Sequence, residues 1–332
     1  MVDLSTKYLG LELKNPIVAS SSGLTGNIGH IRELEKNGVG AVVLKSLFEE
    51  DIEAELKKQQ SNIVTSSSIY PEIFDAFSYD EMEDSVSKYL NLIKDAKKSL
   101  TVPVIASVNC VSAHEWTAFA DKIQNAGADA LELNMFVMPS DFNRTSEQNE
   151  KVYFDIIQKV KSTINIPLSL KISYYFTNLA NMIKRLSETG VDGLVLFNRF
   201  YNPDIDIENM KVVPGYLYSQ PTDISMVLRW IGMVANRVNC SLAATTGVHD
   251  GNGLVKLLLA GADVVQIAST LYYNEFGVVQ AMVDFLTEWM ETHEFETIDE
   301  FRGMLASESI GNTAAYERVQ FMKHFAGKIA LS

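Results

Sequence analysis

Short apolar runs alternate with longer amphipathic segments along the whole chain. Several runs begin at a glycine that follows a helical segment, and β-branched residues come directly after it, as in residues 36–46 and 259–269. Glycine ends a helix readily because it adopts the left-handed conformation, and an apolar run without alternation is typical of a strand buried on both faces. Eight such runs predict eight strands: residues 15–21, 36–46, 102–108, 125–134, 166–172, 188–198, 239–247 and 259–269.

Amphipathic segments with helical periodicity separate these runs. The predicted helices are residues 28–37, 84–98, 113–125, 147–162, 177–189, 222–237, 251–260 and 276–291. Strands separated by helices pair in parallel, and eight such units are typical of a closed (β/α)8 TIM barrel of the α/β class. We predict one barrel domain over residues 1–332, with loop excursions at about 47–80 and 199–221. Terminal helices are predicted at about 292–332, where residues 297–305 open on a threonine cap.

The composition is that of an ordinary globular protein, with 332 residues of which 47% are apolar and 21% charged. A formal charge of −14 without a dense basic block argues against nucleic acid as a partner. Cys110 and Cys240 are too few for a disulfide framework, an iron–sulfur cluster or structural zinc, and the scattered histidines predict no metal site. The amino terminus lacks an export signal, and charges interrupt the longest apolar stretch, residues 253–272, so we predict a cytoplasmic protein without membrane contact.

Polar residues stand at the carboxyl ends of the predicted strands, where barrel enzymes hold their active sites. Lys45 and Lys171 are the strongest indications of a functional site, because a lysine in an apolar strand is rarely buried unless it is paired or functional. Each lysine alone has an alternative role as a strand end that reaches solvent. Two lysines together with Asn134 and Asn198 on one barrel face favour a binding site.

The turns after the seventh and eighth predicted strands form a candidate phosphate-binding site. Thr246–Gly247 and Ala268–Ser269 precede helical segments, at the position where such barrels bind phosphate through backbone amides. A plain glycine turn is the alternative. No nucleoside-triphosphate or dinucleotide motif occurs in the sequence, so the phosphate would belong to a cofactor. Lysines, amide side chains and a phosphate site together fit flavin mononucleotide (FMN), whose anionic reduced form a positive charge stabilises, and they indicate hydride transfer.

These motifs resemble those of the dihydroorotate dehydrogenase family, and of its soluble class 1 branch in particular. The similarity covers about the whole barrel and rests on GLELKNPIVASS, VVLKS, LELN, LKISYYF, TTGV and IAST. The resemblance implies catalytic roles for Lys45 and Asn134. The resemblance and the strand-end positions together predict the following FMN contacts: Ala19, Ser20, Lys45, Ser46, Asn109, Asn134, Lys171, Asn198, Thr246, Gly247, Ala268 and Ser269.

Two loops depart from the family pattern. Class 1 enzymes carry a cysteine after the fourth strand that removes the C5 proton of the substrate, whereas this chain has Val137 or Met138 there, and neither side chain accepts a proton. We predict Ser140 as the catalytic substitute, with an apolar lid formed by residues 135–139 as the alternative. Residues 66–72 replace the substrate loop of the family.

The predicted function is FMN-dependent oxidation of dihydroorotate to orotate, or reduction of a related dihydropyrimidine, within pyrimidine biosynthesis. A small planar anionic substrate would bind at the barrel mouth, where Arg199 could bind it; a solvated loop and a dimer contact are the alternatives for this segment. The altered loops leave two alternatives open: an FMN oxidoreductase acting on another conjugated substrate, and a flavin-binding protein without turnover. The resemblance further implies a homodimer and a soluble electron acceptor or partner protein.

Overall fold

The computed structural model describes residues 2–53, 85–112, 117, 119–135, 137–200, 202–311 and 314–317. Its strands are β1 (Thr6–Tyr8), β2 (Leu11–Leu13), β3 (Ile17–Ala19), β4 (Ala41–Val43), β5 (Leu47–Phe48), β6 (Val104–Cys110), β7 (Ala130–Met135), β8 (Leu168–Ile172), β9 (Gly193–Leu196), β10 (Pro203–Asp206), β11 (Lys211–Pro214), β12 (Ser241–Thr245) and β13 (Val264–Ile267). Its α-helices are α1 (Ile28–Lys36), α2 (Ser85–Ser99), α3 (Phe119–Asn125), α4 (Ser146–Lys161), α5 (Leu179–Ser187), α6 (Ile224–Val234), α7 (Gly251–Ala260), α8 (Ser269–Asn274), α9 (Val278–Thr292) and α10 (Ala314–Glu317).

Eight of the strands run parallel and close into a barrel. β3 pairs with β4 and β4 with β6, and the pairing continues through β7, β8, β9, β12 and β13. The ring closes because β13 pairs with β3, with Val265 opposite Ile17. Each barrel strand overlaps one of the predicted apolar runs. The prediction of an eight-stranded α/β barrel is therefore confirmed.

The helices between the barrel strands lie where the amphipathic segments predict them. α7 has the predicted bounds, and its first turn is capped by Asp250, whose carboxylate accepts a hydrogen bond of 2.8 Å from the Gly253 amide. Asn27 and Thr145 cap α1 and α4 in the same way. The described part of the predicted helix 113–125 is α3. Among the described residues, no helix is long and apolar enough to cross a membrane.

The amino-terminal hairpin fills the end of the barrel at which the strands begin. β1 and β2 pair antiparallel, and at their turn Tyr8 and Leu9 are 0% and 2% exposed. Both pack against interior side chains at the beginnings of the strands, such as Ile105 and Ala130. A Cβ atom on Gly193, the first residue of β9, would lie 2.4 Å from Leu9 Cδ2, so only glycine leaves room for the hairpin. Apolar side chains therefore occupy this end of the barrel.

The predicted excursions are partly described. Residues 199–221 contain the antiparallel pair of β10 and β11, whose outer face carries exposed apolar side chains. Of residues 47–80, the structure describes β5 and the helical residues 49–53; the predicted substrate loop 66–72 lies outside the described residues.

The carboxyl-terminal segment contains the short helix α10, but before it the chain differs from the predicted helices. Residues 297–305 form a three-residue 3₁₀-helix, Ile298–Glu300, followed by turns. The cap itself is present, because Glu300 accepts hydrogen bonds from the backbone amides of Glu296 and Thr297. Gly303, at a φ of 73°, then takes the chain out of helical geometry.

Candidate active site

A cavity of about 370 Å³ opens at the carboxyl ends of the barrel strands. Its walls come from β8, β12 and β13 and from the segments that follow β3, β9, β11, β12 and β13. Seven predicted site residues line it: Ser20, Lys171, Asn198, Thr246, Gly247, Ala268 and Ser269. The barrel thus brings together residues that are up to 249 positions apart in the chain, from Ser20 to Ser269.

Lys171 forms the centre of a buried polar network below this cavity. Its ammonium group donates hydrogen bonds to Ser20 Oγ at 2.9 Å and to Gln266 Oε1 at 3.2 Å. Glu132 Oε1 lies 3.7 Å from Lys171 Nζ, and neither side chain is more than 8% exposed. Glu132 and Gln266 are missing from the sequence-based prediction. The signal that identified Lys171, a polar residue inside an apolar strand run, is present at both positions.

A chain of hydroxyl groups connects the predicted Ser46 to the cavity wall. Ser46 Oγ lies 3.0 Å from Ser21 Oγ and 2.8 Å from Ser107 Oγ. The Ser46 amide donates to Ser21 Oγ at 2.9 Å, and Ser21 lines the cavity. Tyr89 holds the far end of the chain, because its hydroxyl accepts from the Ser107 amide at 2.6 Å. Ser46 therefore lies behind the cavity wall and contacts it through Ser21.

Asn109 and Asn134 stand next to Lys171 across the sheet. The parallel register places Asn109 opposite Asn134, and Asn134 opposite Lys171. Asn134 Oδ1 is buried and has no hydrogen-bond partner among the described residues. A buried acceptor without a partner costs free energy, so this atom fits a donor supplied by a bound molecule. The flavin ring offers such a donor, and the residues present are therefore compatible with FMN.

Lys45 and Ser140 do not reach the cavity. Lys45 is exposed, and its side chain lies along the backbone near Gly26, where an added Cβ would be 3.1 Å from Lys45 Cδ. This position agrees with the alternative of a strand end that reaches solvent. Ser140 is also exposed, five residues after the end of β7. Ala19 is fully buried in β3, directly before Ser20. The roles of these three residues stay predictions.

The predicted phosphate turn after β12 has unusual backbone geometry. Thr246 has a φ of 87° and Gly247 a φ of 79°. A β-branched residue rarely adopts such a conformation, and it is held here partly by the hydrogen bond from Thr246 Oγ1 to the Phe197 carbonyl at 3.2 Å. At Gly247, a Cβ would lie 2.2 Å from the Ile224 backbone nitrogen, so the start of α6 packs directly on this turn.

Side chains from the segment before α6 complete this side of the cavity. Ser269 Oγ accepts a hydrogen bond of 2.9 Å from the Ser219 amide, and Ser219 Oγ lies 3.3 Å from His249 Nε2. Burial lowers the pKa of His249 from its usual value of 6.5. Tyr218 and Tyr272 stack with ring centroids 4.9 Å apart, and both line the cavity. The sequence-based prediction did not include this aromatic pair.

Arg199 is engaged within the protein. Its guanidinium donates to the backbone carbonyls of Tyr216 at 2.7 Å and Leu217 at 2.9 Å. Asp223 lies 3.8 Å from Arg199 Nε as a counter-charge. Arg199 thus fastens residues 216–217 over the cavity, which it also lines, and its role toward a substrate stays a prediction.

The fold and site define the chain as an eight-stranded barrel with a buried cation below a polar cavity at the strand ends. The family model for dihydroorotate dehydrogenase matches residues 3–290, and the chain belongs to this family. The chain is 27% identical over 315 residues to the catalytic subunit of dihydroorotate dehydrogenase B (NAD(+)) of Thermoplasma volcanium, covering 92% of this chain and 99% of the relative. It is 25% identical over 275 residues to dihydroorotate dehydrogenase A (fumarate) of Lacticaseibacillus paracasei, covering 81% and 92%.

Two further similarities widen this comparison. The chain is 22% identical over 328 residues to the chloroplastic dihydropyrimidine dehydrogenase (NADP(+)) of Arabidopsis thaliana, covering 91% of this chain and 76% of the relative. Among solved structures, dihydroorotate dehydrogenase of Eimeria tenella in complex with ferulenol shares the fold, with a TM-score of 0.64 at 16% identity over 91% of this chain and 88% of that one. The predicted family is confirmed, and the chain is a member of a family of flavin-dependent oxidoreductases.

Proposed function

We propose that this chain is an FMN-dependent oxidoreductase that oxidises dihydroorotate to orotate in pyrimidine biosynthesis. The observation that carries the proposal is the position of Lys171, a buried cation at the base of the cavity, opposite Asn134, whose amide oxygen has no hydrogen-bond partner among the described residues. The amide oxygen would accept a hydrogen bond from a bound molecule, and the ammonium group would stabilise negative charge on it. Family membership supports the same chemistry.

The cavity residues have separate tasks in this proposal. Ser20, Lys171 and Asn134 would hold the flavin ring, and the amides of Thr246–Gly247 and Ala268–Ser269 would hold the phosphate. Bound FMN would supply the two-electron acceptor that takes a hydride from the substrate. The ammonium group of Lys171 would stabilise negative charge that arrives on the flavin, because opposite charges attract. The stacked Tyr218 and Tyr272 form an aromatic side of the cavity.

A second candidate function is oxidation or reduction of another conjugated substrate on the same cofactor. The observation that favours it is the loop after β7, which presents apolar side chains where class 1 enzymes hold a base. Val137 is half-buried and Met138 is 44% exposed, and neither accepts a proton. Loss of a general base typically reduces the rate by about 10²- to 10⁴-fold. The substrate of such an enzyme would therefore carry a more acidic proton than dihydroorotate, or would lose none to the protein.

Anaerobic addition of dihydroorotate to the purified protein tests the proposal. We expect a flavin absorbance band that bleaches when dihydroorotate is added and returns with an electron acceptor. A flavin that stays oxidised with dihydroorotate, but bleaches with other dihydropyrimidines, would establish the second candidate. A flavin that no substrate reduces would leave a binding protein without turnover, and a colourless protein that does not take up FMN would contradict both candidates.

We also propose a cytoplasmic homodimer that passes electrons to a soluble acceptor or partner protein. The relatives that are named catalytic subunits support a partner protein. The hairpin of β10 and β11 supports association, because it exposes apolar side chains that water solvates poorly: Ile205, Ile207, Met210 and Val212 are 64–88% exposed. Light scattering should give twice the mass of the 36.9 kDa chain, and an Ile207→Asp/Val212→Asp variant should give the single mass.

A further inference from the structure

Glu132 is a carboxylate sealed inside the barrel, and the proposed function gives it no task. It is 0% exposed, although a buried carboxylate is costly unless it is paired and hydrogen-bonded. Its neighbours on β7, Leu131 and Leu133, belong to the apolar layer that contains the helices. Because successive strand residues face opposite sides, Glu132 alone of these three points into the barrel.

The two oxygen atoms of Glu132 have different surroundings. Oε2 accepts a hydrogen bond of 2.6 Å from Gln266 Nε2. Oε1 lies 3.7 Å from Lys171 Nζ and has no hydrogen-bond partner among the described residues. Tyr8 lies on the other side; burial raises its pKa well above the usual value, and the charge of Glu132 raises it further, so this phenol stays neutral. The counter-charge that Glu132 meets is therefore Lys171.

The carboxylate also fixes the direction of the hydrogen bonds that lead to the cavity. Because Gln266 Nε2 donates to Glu132, the opposite amide atom, Oε1, faces Ser20 and Lys171. Ser20 Oγ donates to this oxygen at 3.0 Å and accepts from Lys171 Nζ at 2.9 Å. Rotation of the Gln266 amide would place a donor against both groups. Glu132 therefore sets the arrangement of Ser20 and Lys171, which line the cavity.

We propose that Glu132 is a positioning residue that holds Lys171 at the base of the cavity and offsets its charge, and thereby lowers the electron affinity of the bound flavin. The proposal rests on the proposed function. Without the carboxylate, the positive charge of Lys171 would be unshared. Negative charge that arrives in the cavity on reduction would then be stabilised more strongly, since opposite charges attract most in a poorly solvated interior.

The test is the midpoint potential of the flavin in the FMN-loaded Glu132→Gln variant, which removes the charge at nearly constant shape. We expect a shift to a more positive potential, equivalent to a rise of at least about tenfold in the preference for reduced over oxidised FMN. Glu132→Asp keeps the charge and should return the potential toward the wild-type value. Glu150→Gln is the matched control, since Glu150 pairs with Arg185 near the surface, and it should leave the potential unchanged. An unchanged potential in folded, flavin-loaded Glu132→Gln would overturn the proposal.

A double variant decides the case in which Glu132→Gln does not fold. Glu132→Gln/Lys171→Met leaves no unpaired charge in the barrel, so it should fold and melt at a higher temperature than either single variant. If the double variant also fails to fold, the pairing of these residues is refuted. This comparison needs no flavin, so it still tests the pair if the wild-type protein binds none. Failure of the wild type to bind FMN would contradict the proposed function and, with it, the effect on the flavin, whereas the pairing of Glu132 with Lys171 would still be tested by the melting temperatures.

Discussion

Replacing Lys171 by methionine should destabilise the barrel strongly. Methionine retains most of the apolar stem but removes the charge that faces Glu132, which is 0% exposed. Glu132 would keep its hydrogen bond from Gln266 and lose its ionic partner at 3.7 Å. Breaking a buried ion pair by removing one partner typically costs about 3–5 kcal/mol, because the remaining charge stays buried without compensation. We expect a loss of that size in the free energy of unfolding.

Urea denaturation of the FMN-free protein, followed by circular dichroism, measures this loss. Lys36→Met is the matched control, because Lys36 pairs with Glu33 at 3.6 Å on the surface and its side chain is 75% exposed. The control should change the free energy of unfolding by less than about 1 kcal/mol. Adding Glu132→Gln to Lys171→Met should restore most of the stability, because it removes the stranded charge. A Lys171→Met variant as stable as the control, or a double variant no more stable than the single one, would refute the reasoning.

Three further predictions concern the cavity wall and the residues that support it from behind. Gly247→Ala should destabilise the protein and prevent flavin loading, because a Cβ would lie 2.2 Å from the Ile224 nitrogen. Gly277→Ala is the control: nothing lies within 4 Å of its added Cβ, so this variant should melt within a few degrees of the wild type. The free energy of unfolding should fall as the pH drops below about 6.5, because burial lowers the pKa of His249 in the folded state and protonation then favours the unfolded chain; His249→Gln should weaken this dependence, and an identical pH profile would contradict it. Ser46→Ala should cost about 1–3 kcal/mol in urea denaturation, since it leaves the buried Ser107 hydroxyl without its 2.8 Å partner, and a smaller loss would indicate that another group replaces it.

The hydrophobic pattern predicted the barrel well because each strand is an apolar run with a local beginning and end. Strand bounds such as Leu168–Ile172 and helix bounds such as Gly251–Ala260 follow from neighbours in the sequence. Lys171 was also predictable, since a lysine inside such a run needs a reason to be buried.

The partners of Lys171 were harder to predict from sequence. Glu132 and Gln266 stand inside their strand runs rather than at the ends, and they meet only after the barrel has closed, across 134 positions of the chain. Lys45 shows a different case, because its strand-end position suggested a site contact, its side chain is exposed in the described structure, and its role stays a prediction. Which polar residues converge is decided by closure and by strand register, and neither is visible in a local pattern.

The hairpin of β1 and β2 can dock onto the barrel only after strands that come much later in the chain have formed. The Leu9 amide donates to Ser241 Oγ at 3.1 Å, and Thr6 Oγ1 donates to the Asp263 carbonyl at 3.1 Å, across 232 and 257 positions. Such distant contacts slow folding, because the chain loses much of its conformational freedom before they form. During synthesis the hairpin is made before the barrel strands, whereas β9 and β12, which it contacts, are made much later. Docking of the hairpin is therefore expected among the final steps of folding, after the strands that it seals have been made.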